Sequence, residues 1–256
     1  MKLIPSIVTL ILLAAFTQAQ TPAPPAGSTP NPTPAQAPPG AAKTGASATT
    51  TRHRIAYNPP KDVLGGTRVD GLDGGSRGGG VKLPSLYVLA PNHTALTTQA
   101  QPSLFWYQSG PATTRFELTV VEPKNPKPLL KVGADKADQP GIHRLPLGKY
   151  NVTLAPGVLY KWTIALVPDP ANRSQDVIAS GTIQRTAPDA EFTAALATAE
   201  GPDKAALYAG KGFWYDALEA VTNEINAAPK DKDLRLQRAT LLDQAGLKDA
   251  AASERK

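Results

Sequence analysis

The chain contains no cysteine in 256 residues. That absence excludes disulfides, thiolate metal sites, thiol catalysis and attachment through a lipid-modified cysteine. Histidine occurs three times, as His53, His93 and His143, each alone in its own segment. A metal centre needs three or more converging imidazole or carboxylate groups, so no metal is expected. No cofactor is expected either, since the phosphate-cradling pattern G-x-x-x-x-G-K-[ST] occurs nowhere. Aromatics make up 6% and charged residues 19%. Basic residues outnumber acidic ones by 27 to 21, but those of the middle segment stand singly from Arg115 to Arg185. A nucleic-acid binder gathers them on one face with aromatics between, so no nucleic-acid partner is expected. Past the first twenty residues no apolar run approaches the roughly 20 residues of a membrane-spanning helix, and no span is expected once a signal is removed.

What the chain has in excess is proline, with 26 copies, and glycine, with 21. Both are unevenly placed. Met1-Lys2 is a short positive start, Ile7 to Phe16 is an apolar run, and Thr17-Gln18-Ala19 offers small residues for a peptidase. Residues 1–19 therefore read as a secretory signal, and the protein as exported, periplasmic or extracellular. Residues 20–60 hold ten prolines and a single aromatic, Tyr57. Such a stretch cannot bury enough apolar area to offset chain entropy, and it reads as a disordered tether. Fully in polyproline II it would reach roughly 120 Å.

Residues 61–83 carry a Gly/Arg-rich loop, with Arg68 and Arg77 inside the run Gly65 to Gly80. Gly74-Gly75-Ser76-Arg77-Gly78 matches G-x-S-x-G by letter. A nucleophile elbow, however, needs a buried strand before the Ser and a helix after it, and the flanks supply neither. The expectation is a loop over the domain edge whose arginines pair locally.

Residues 84–185 change to short runs of period two separated by turn signals, as in an all-β domain. Candidate strands are 86–90, 103–108, 115–122, 129–132, 142–147, 150–154, 158–167 and 177–185. Phe116, Leu118 and Val120 share one face, and so do Val158, Tyr160, Trp162, Ile164 and Leu166. Leu104-Phe105-Trp106-Tyr107 is apolar on both faces, so one of them should meet another element, such as C-terminal helices.

Several phrases carry a family resemblance. They are Tyr57-Asn58-Pro59-Pro60, Leu83-Pro84-Ser85-Leu86-Tyr87-Val88-Leu89-Ala90-Pro91, Pro102-Ser103-Leu104-Phe105-Trp106-Tyr107 and Arg115-Phe116-Glu117-Leu118. Tyr160-Lys161-Trp162 and Gly181-Thr182-Ile183-Gln184-Arg185 complete the set. Together they resemble the exported bacterial family catalogued as domain of unknown function 928, across roughly residues 55–220. The resemblance implies a fold and no mechanism. Within it, Leu154-Ala155-Pro156-Gly157-Val158-Leu159-Tyr160 resembles the start of the sixth strand of fibronectin type III domains. There a tyrosine hydroxyl turns back onto the preceding loop backbone. Trp106 then resembles the core tryptophan of that fold. The fold class that follows is mainly β with a helical C-terminal annex: an Ig/fibronectin-III-like antiparallel β-sandwich, then tetratricopeptide-like hairpins.

Residues 189–256 change to helical period. Asp189 is a plausible N-cap, Phe192 and Leu196 form an i, i+4 pair, and Gly201-Pro202 ends the first helix with Asp203 placed to cap the next. Trp214, Ala217, Leu218, Val221 and Ile225 form one stripe, and a further helix near Asp231 to Ala245 ends at Gly246. A period of 34 links Ala205 to Ala239, Tyr208 to Leu242, Gly212 to Gly246 and Ala217 to Ala251. That is the tetratricopeptide period, and residues 200–254 resemble such hairpins. With fewer than two repeats, the hairpin should pack on the sheets with Trp214 as an anchor. The resemblance implies a groove lined by Ala199, Pro202, Ala206, Ala209, Asp233, Leu236, Thr240 and Asp243. No Lys/Asn/Arg cluster stands among these to grip a peptide carboxylate.

Candidate acids are Glu117, Glu122, Asp135, Asp138, Asp169 and Asp176, which nothing in the sequence brings together. No catalytic, cofactor-binding or metal-binding residue is therefore assigned, and the expectation is no enzyme. The reading is an exported, non-catalytic protein–protein interaction or scaffold module of the bacterial cell envelope, engaging an envelope or extracellular protein. The alternative is a carbohydrate-binding module, with Trp106 or Tyr107 as an open stacking platform, or a carboxylate-dependent hydrolase.

Overall fold

Alternation of apolar and polar residues becomes strand, and 3.6-residue periodicity becomes helix, in an arrangement that is mainly β with a helical C-terminus. The computed structural model describes residues 54–61, 66–71, 83–125, 127–134 and 139–256. The signal, the tether up to residue 53, the Gly74–Gly78 motif, Arg77, Asp135 and Asp138 lie outside these.

Eight strands occur among the described residues: β1 (Leu86–Val88), β2 (Ala95–Thr97), β3 (Ser103–Gln108), β4 (Arg115–Val121), β5 (Leu130–Ala134), β6 (Gly141–Pro146), β7 (Leu159–Val167) and β8 (Val177–Arg185). They form one sheet of order β1-β3-β6 and a second of order β2-β8-β7-β4-β5. Leu118 and Val120 of β4 and Tyr160, Trp162, Ile164 and Leu166 of β7 turn inward, as the alternation predicts. They join Leu86, Val88, Leu104 and Trp106 of the other sheet in one apolar cluster. At Gly181 a Cβ would lie 3.1 Å from Ala90 Cβ and 3.2 Å from Val88 Cγ2, so any side chain there would push its neighbours back by a few tenths of an ångström.

Three details differ from expectation. Pairing between the eight strands is antiparallel except between β2 and β8, where Ala95 to Thr97 run parallel to Ile183 to Arg185. The chain leaves β1's sheet before β2, whose three residues land on the edge of the larger sheet and satisfy its backbone there. The strand expected at 150–154 does not form. Leu147–Tyr150 is a 3-10 turn closed by Asn151 at φ 54°, a left-handed residue that ends the run. Val152 and Leu154 are buried all the same. Third, β2 follows Pro91-Asn92 and is too short to leave a period.

The Tyr160 hydroxyl accepts from Ala155 N at 3.2 Å, so the aromatic ring sits in the core while its oxygen holds the loop before β7. Tyr160→Phe should lower stability by about 1 kcal/mol, read from urea unfolding, because Ala155 N–H loses its acceptor. An unchanged midpoint would show that water replaces the bond.

Five helices follow: α1 (Ala190–Thr198), α2 (Pro202–Gly210), α3 (Trp214–Ala227), α4 (Lys232–Gln244) and α5 (Lys248–Glu254). Asp189 caps α1 by accepting from Phe192 N at 2.6 Å, and Asp231 caps α4 by accepting from Asp233 N at 2.9 Å. Asp203 does not cap α2. Gly201 takes that position, and Pro202 with its fixed φ occupies the first helical residue, which pushes Asp203 into the first turn. The 34-residue spacing has a structural counterpart. Ala205 and Ala239 are buried, as are Ala217 and Ala251, while Gly212 and Gly246 turn the chain at φ 82° and 72°. Successive helices from α2 to α5 pack on one another, and α3 also packs on β2 and β3.

The N-terminal side of the fold departs most from the sequence reading. Disordered tether was expected through residue 60, yet Ile55 and Tyr57 are buried while Arg54 and Ala56 are exposed. An apolar pair at i, i+2 gives an extended segment one sticky edge, and the ends of α2 and α4 supply its partner. Downstream, Val69 bridges Ser180 and Gly71 bridges Leu86, so residues 69–71 tie the edges of both sheets. Arg68 pairs locally with Asp70 as expected (Nε to Oδ1, 2.7 Å), and also donates to Ala90 O and Ala245 O.

Candidate interaction site

Two of the candidate acids do meet. Arg173 donates through Nη1 and Nη2 to Glu117 Oε2, both at 3.1 Å, and through Nε to Asp176 Oδ2 at 2.7 Å. Its hydrogen bonds to Asp176 first, then to Glu117, hold the guanidinium more firmly protonated than usual. A cation clamped between two carboxylates is a brace across the start of β4 and β8. Glu122 follows the far end of β4, and Asp169 closes a turn by accepting from Ala171 N at 2.8 Å.

The histidines are separate. His143 stacks on Trp106 with centroids 5.1 Å apart and contacts Gln139 O at 2.9 Å. His93 meets the Tyr57 hydroxyl at 2.8 Å. Burial lowers both pKa values, which favours neutral rings. Among the described residues no group of three or more His, Cys, Asp or Glu could hold a metal ion. Trp106 and Tyr107 are 7% and 8% exposed, so neither ring is open for sugar stacking. That removes the platform the carbohydrate alternative required, because β3 is covered on both faces.

α3 packs against β3, whose Trp106 meets Phe116 of the other sheet. Its apolar stripe of Trp214, Ala217, Leu218, Val221 and Ile225 is buried as expected, and Trp214 Nε1 donates to Leu89 O at 2.8 Å. A second face, polar in sequence, turns to the sheets. Tyr215 accepts from Trp162 Nε1 at 2.7 Å and donates to Thr182 O at 3.2 Å. Asp216 accepts from Thr98 Oγ1 at 2.5 Å and from Thr98 N at 3.1 Å. Glu219 accepts from Gln99 Nε2 at 3.0 Å, from Ser103 Oγ at 2.9 Å and from Arg144 Nη2, while Arg144 Nη1 donates to Asn223 Oδ1 at 2.8 Å. Burial pushes the Asp216 carboxyl up to about 6, opposed by the bonds from Thr98 and Thr97. Asp216 and Glu219 were absent from the candidate acids. Their i, i+3 spacing on a helix reads as a solvated face, and only the α3 stripe gives warning that the helix is buried.

The remaining polar convergence is a notch at the C-terminal ends of α2 and α4, where Ile55 to Pro60 lies. Gln244 grips the segment twice: its Oε1 accepts from Tyr57 N at 2.6 Å and its Nε2 donates to Ile55 O at 3.2 Å. Asn58 N donates to Ala209 O at 3.0 Å and Asn58 Nδ2 to Gly210 O at 3.1 Å. The Tyr57 ring meets Trp214 edge-on at 5.0 Å. Of the expected groove residues, Ala209 lies under this segment, Asp243 pairs with Arg255, and Leu236 stays 47% exposed.

In this notch the ends of two helices hold a stretch of extended chain by several of its backbone groups, and it is the strongest candidate for a functional surface. No curated protein matches the sequence. The family pattern described as Domain of Unknown Function (DUF928) matches residues 72–255, taking in all eight strands and all five helices, and the chain belongs to that family.

Proposed function

We propose that this protein is an exported, non-catalytic interaction module of the bacterial cell envelope, built as an Ig/fibronectin-III-like β-sandwich that carries tetratricopeptide-like hairpins. The sandwich reading is supported by sheet orders β1-β3-β6 and β2-β8-β7-β4-β5 and by the Tyr160 bond to Ala155 N. The hairpin reading is supported by the matched burial and matched glycine turns at a spacing of 34. The observation that carries the function is the notch, where Gln244, Ala209 and Gly210 bond an extended segment through main-chain groups. Helix ends that already hold one peptide by its backbone suit a surface that recognises polypeptide.

The test is capture in the producing cell with the full chain, carrying a photo-crosslinker at exposed Leu236 and, as a control, at exposed Tyr150. One envelope protein joined at 236 and absent at 150 is the expected result. No adduct at either position, with the protein folded and exported, would overturn the interaction reading.

A further inference from the structure

The interaction reading above leaves open what the notch recognises, and its present occupant supplies the chemistry. We infer that the notch between the ends of α2 and α4 is a peptide-binding site selective for an aliphatic-x-Tyr-Asn-Pro segment, filled in cis by residues 55–60 and able to take the same segment from a second copy of the chain.

Three layers of contact define the selectivity. Gln244 reads main chain alone, pairing with the carbonyl of Ile55 and the N–H of Tyr57 as a neighbouring strand would. Those two groups lie two residues apart on one side of an extended peptide, so the pair fixes its register. Buried Ile55 and Tyr57 then choose the side chains. Tyr57 is specified over phenylalanine, because its hydroxyl reaches His93 Nε2 at 2.8 Å while its ring edge rests on Trp214 at 5.0 Å. Burial drives the Tyr57 phenol well above its ordinary pKa, so it stays neutral and able to donate.

Asn58 adds the third layer. Its main-chain and side-chain N–H groups go to Ala209 O and Gly210 O, carbonyls of the last turn of α2, of which Ala209 O also accepts from Gly212 N at 3.0 Å. Gly212 opens the floor. At φ +82° it turns the chain, and a Cβ there would lie 2.9 Å from Asn58 O and 3.2 Å from Pro60 Cδ. Pro59 and Pro60 hold the trailing end extended at little entropic cost.

Nothing in these contacts requires the segment to belong to the same molecule. Arg54, Ala56 and Pro59 are exposed, so the segment is gripped along one edge. A second copy offering the same residues repeats every bond, as in domain swapping. The covalent link gives the cis segment an advantage equivalent to a millimolar-order concentration, so the trans ligand binds when the cis one is displaced.

The probe is a fluorescent synthetic peptide of residues 52–61, followed by anisotropy against the full-length chain. The receptor is Ile55→Ser with Tyr57→Ser, which vacates the notch. Tyr57→Ser alone serves in its place if the double variant loses cooperative unfolding. The vacated chain should bind the peptide at least about tenfold more tightly than wild type does. Adding Gln244→Ala should weaken it about tenfold, and a peptide with Tyr replaced by Phe should bind less tightly. Binding equal in wild type and vacated chains, indifference to Gln244→Ala, or no binding to a folded vacated chain would each overturn the proposal. Because the peptide assay uses no cellular partner, it can succeed where crosslinking fails, and the two readings fall separately.

Discussion

Trp214→Ala should cost about 3–5 kcal/mol of stability, the largest effect of any single substitution considered for this protein. Trp214 is fully buried at the start of α3 and fills space shared by three parts of the chain. Its indole N–H donates to Leu89 O, just after β1, and its ring meets Tyr57 of the docked segment. Truncation therefore opens a cavity at the junction of helices, sheet and segment, and removes the donor from a buried carbonyl at once. Trp214→Phe separates these two losses. It keeps most of the volume, so its cost should fall to about 1–2 kcal/mol, mainly for the unpaired Leu89 carbonyl. Urea unfolding followed by both far-UV circular dichroism and tryptophan fluorescence checks this. A loss under about 1 kcal/mol for Trp214→Ala would mean that the notch collapses over the gap and that Trp214 does not anchor the helices.

Asp216 should make stability depend on pH in a direction opposite to that of most paired carboxylates. Desolvation is the main cause of its raised pKa of about 6, against bonds from Thr98 and Thr97 that favour the charge. The unfolded chain restores an ordinary value near 3.9. Below pH 4 both states hold the proton and the contribution is complete. Between pH 4 and pH 6 the unfolded state ionises first, so folding must take up a proton and stability falls as pH rises. Two pH units at 1.36 kcal/mol each amount to about 3 kcal/mol, lost once the pH passes 6.

Asp216→Asn isolates this slope. The amide oxygen can still accept from Thr98 and carries no charge, so the variant should gain on wild type by about 3 kcal/mol between pH 4 and pH 6.5. Asp216→Leu should instead cost about 1–3 kcal/mol, because Thr98 N–H and its hydroxyl lose their acceptor. Urea midpoints measured across that range decide the matter. A constant difference between wild type and Asp216→Asn would show that the carboxyl is hydrated. Glu219, one turn on, faces Arg144, Ser103 and Gln99 and is unchanged in both variants.

The candidate site was half legible. Trp214 announces itself as an anchor, since an aromatic opening an apolar stripe must bury somewhere. Gln244 does not, because a glutamine at the end of an amphipathic helix is ordinary in solvent, and its partners Ile55 and Tyr57 lie 189 and 187 positions away. The docked segment was hidden by its neighbours. Ten prolines make residues 20–60 look uniformly unfoldable, and two apolar residues at i, i+2 do not shift an average over that stretch.

Local chemistry was enough to place seven of the eight described strands, the α3 stripe, the cap at Asp189 and the loop bond of Tyr160. Each of these follows from which backbone conformation a short run of side chains favours and which of its edges is apolar. Tertiary structure alone decided that β2 would lie parallel on β8, that Glu117 and Asp176 would share Arg173, and that the polar side of α3 would be buried. An aspartate at Asp216 is equally compatible with water or with Thr98, and the choice belongs to a residue 118 positions distant. Apolar groups have one good destination and so declare it in the sequence. Polar groups have two, and the fold chooses between them.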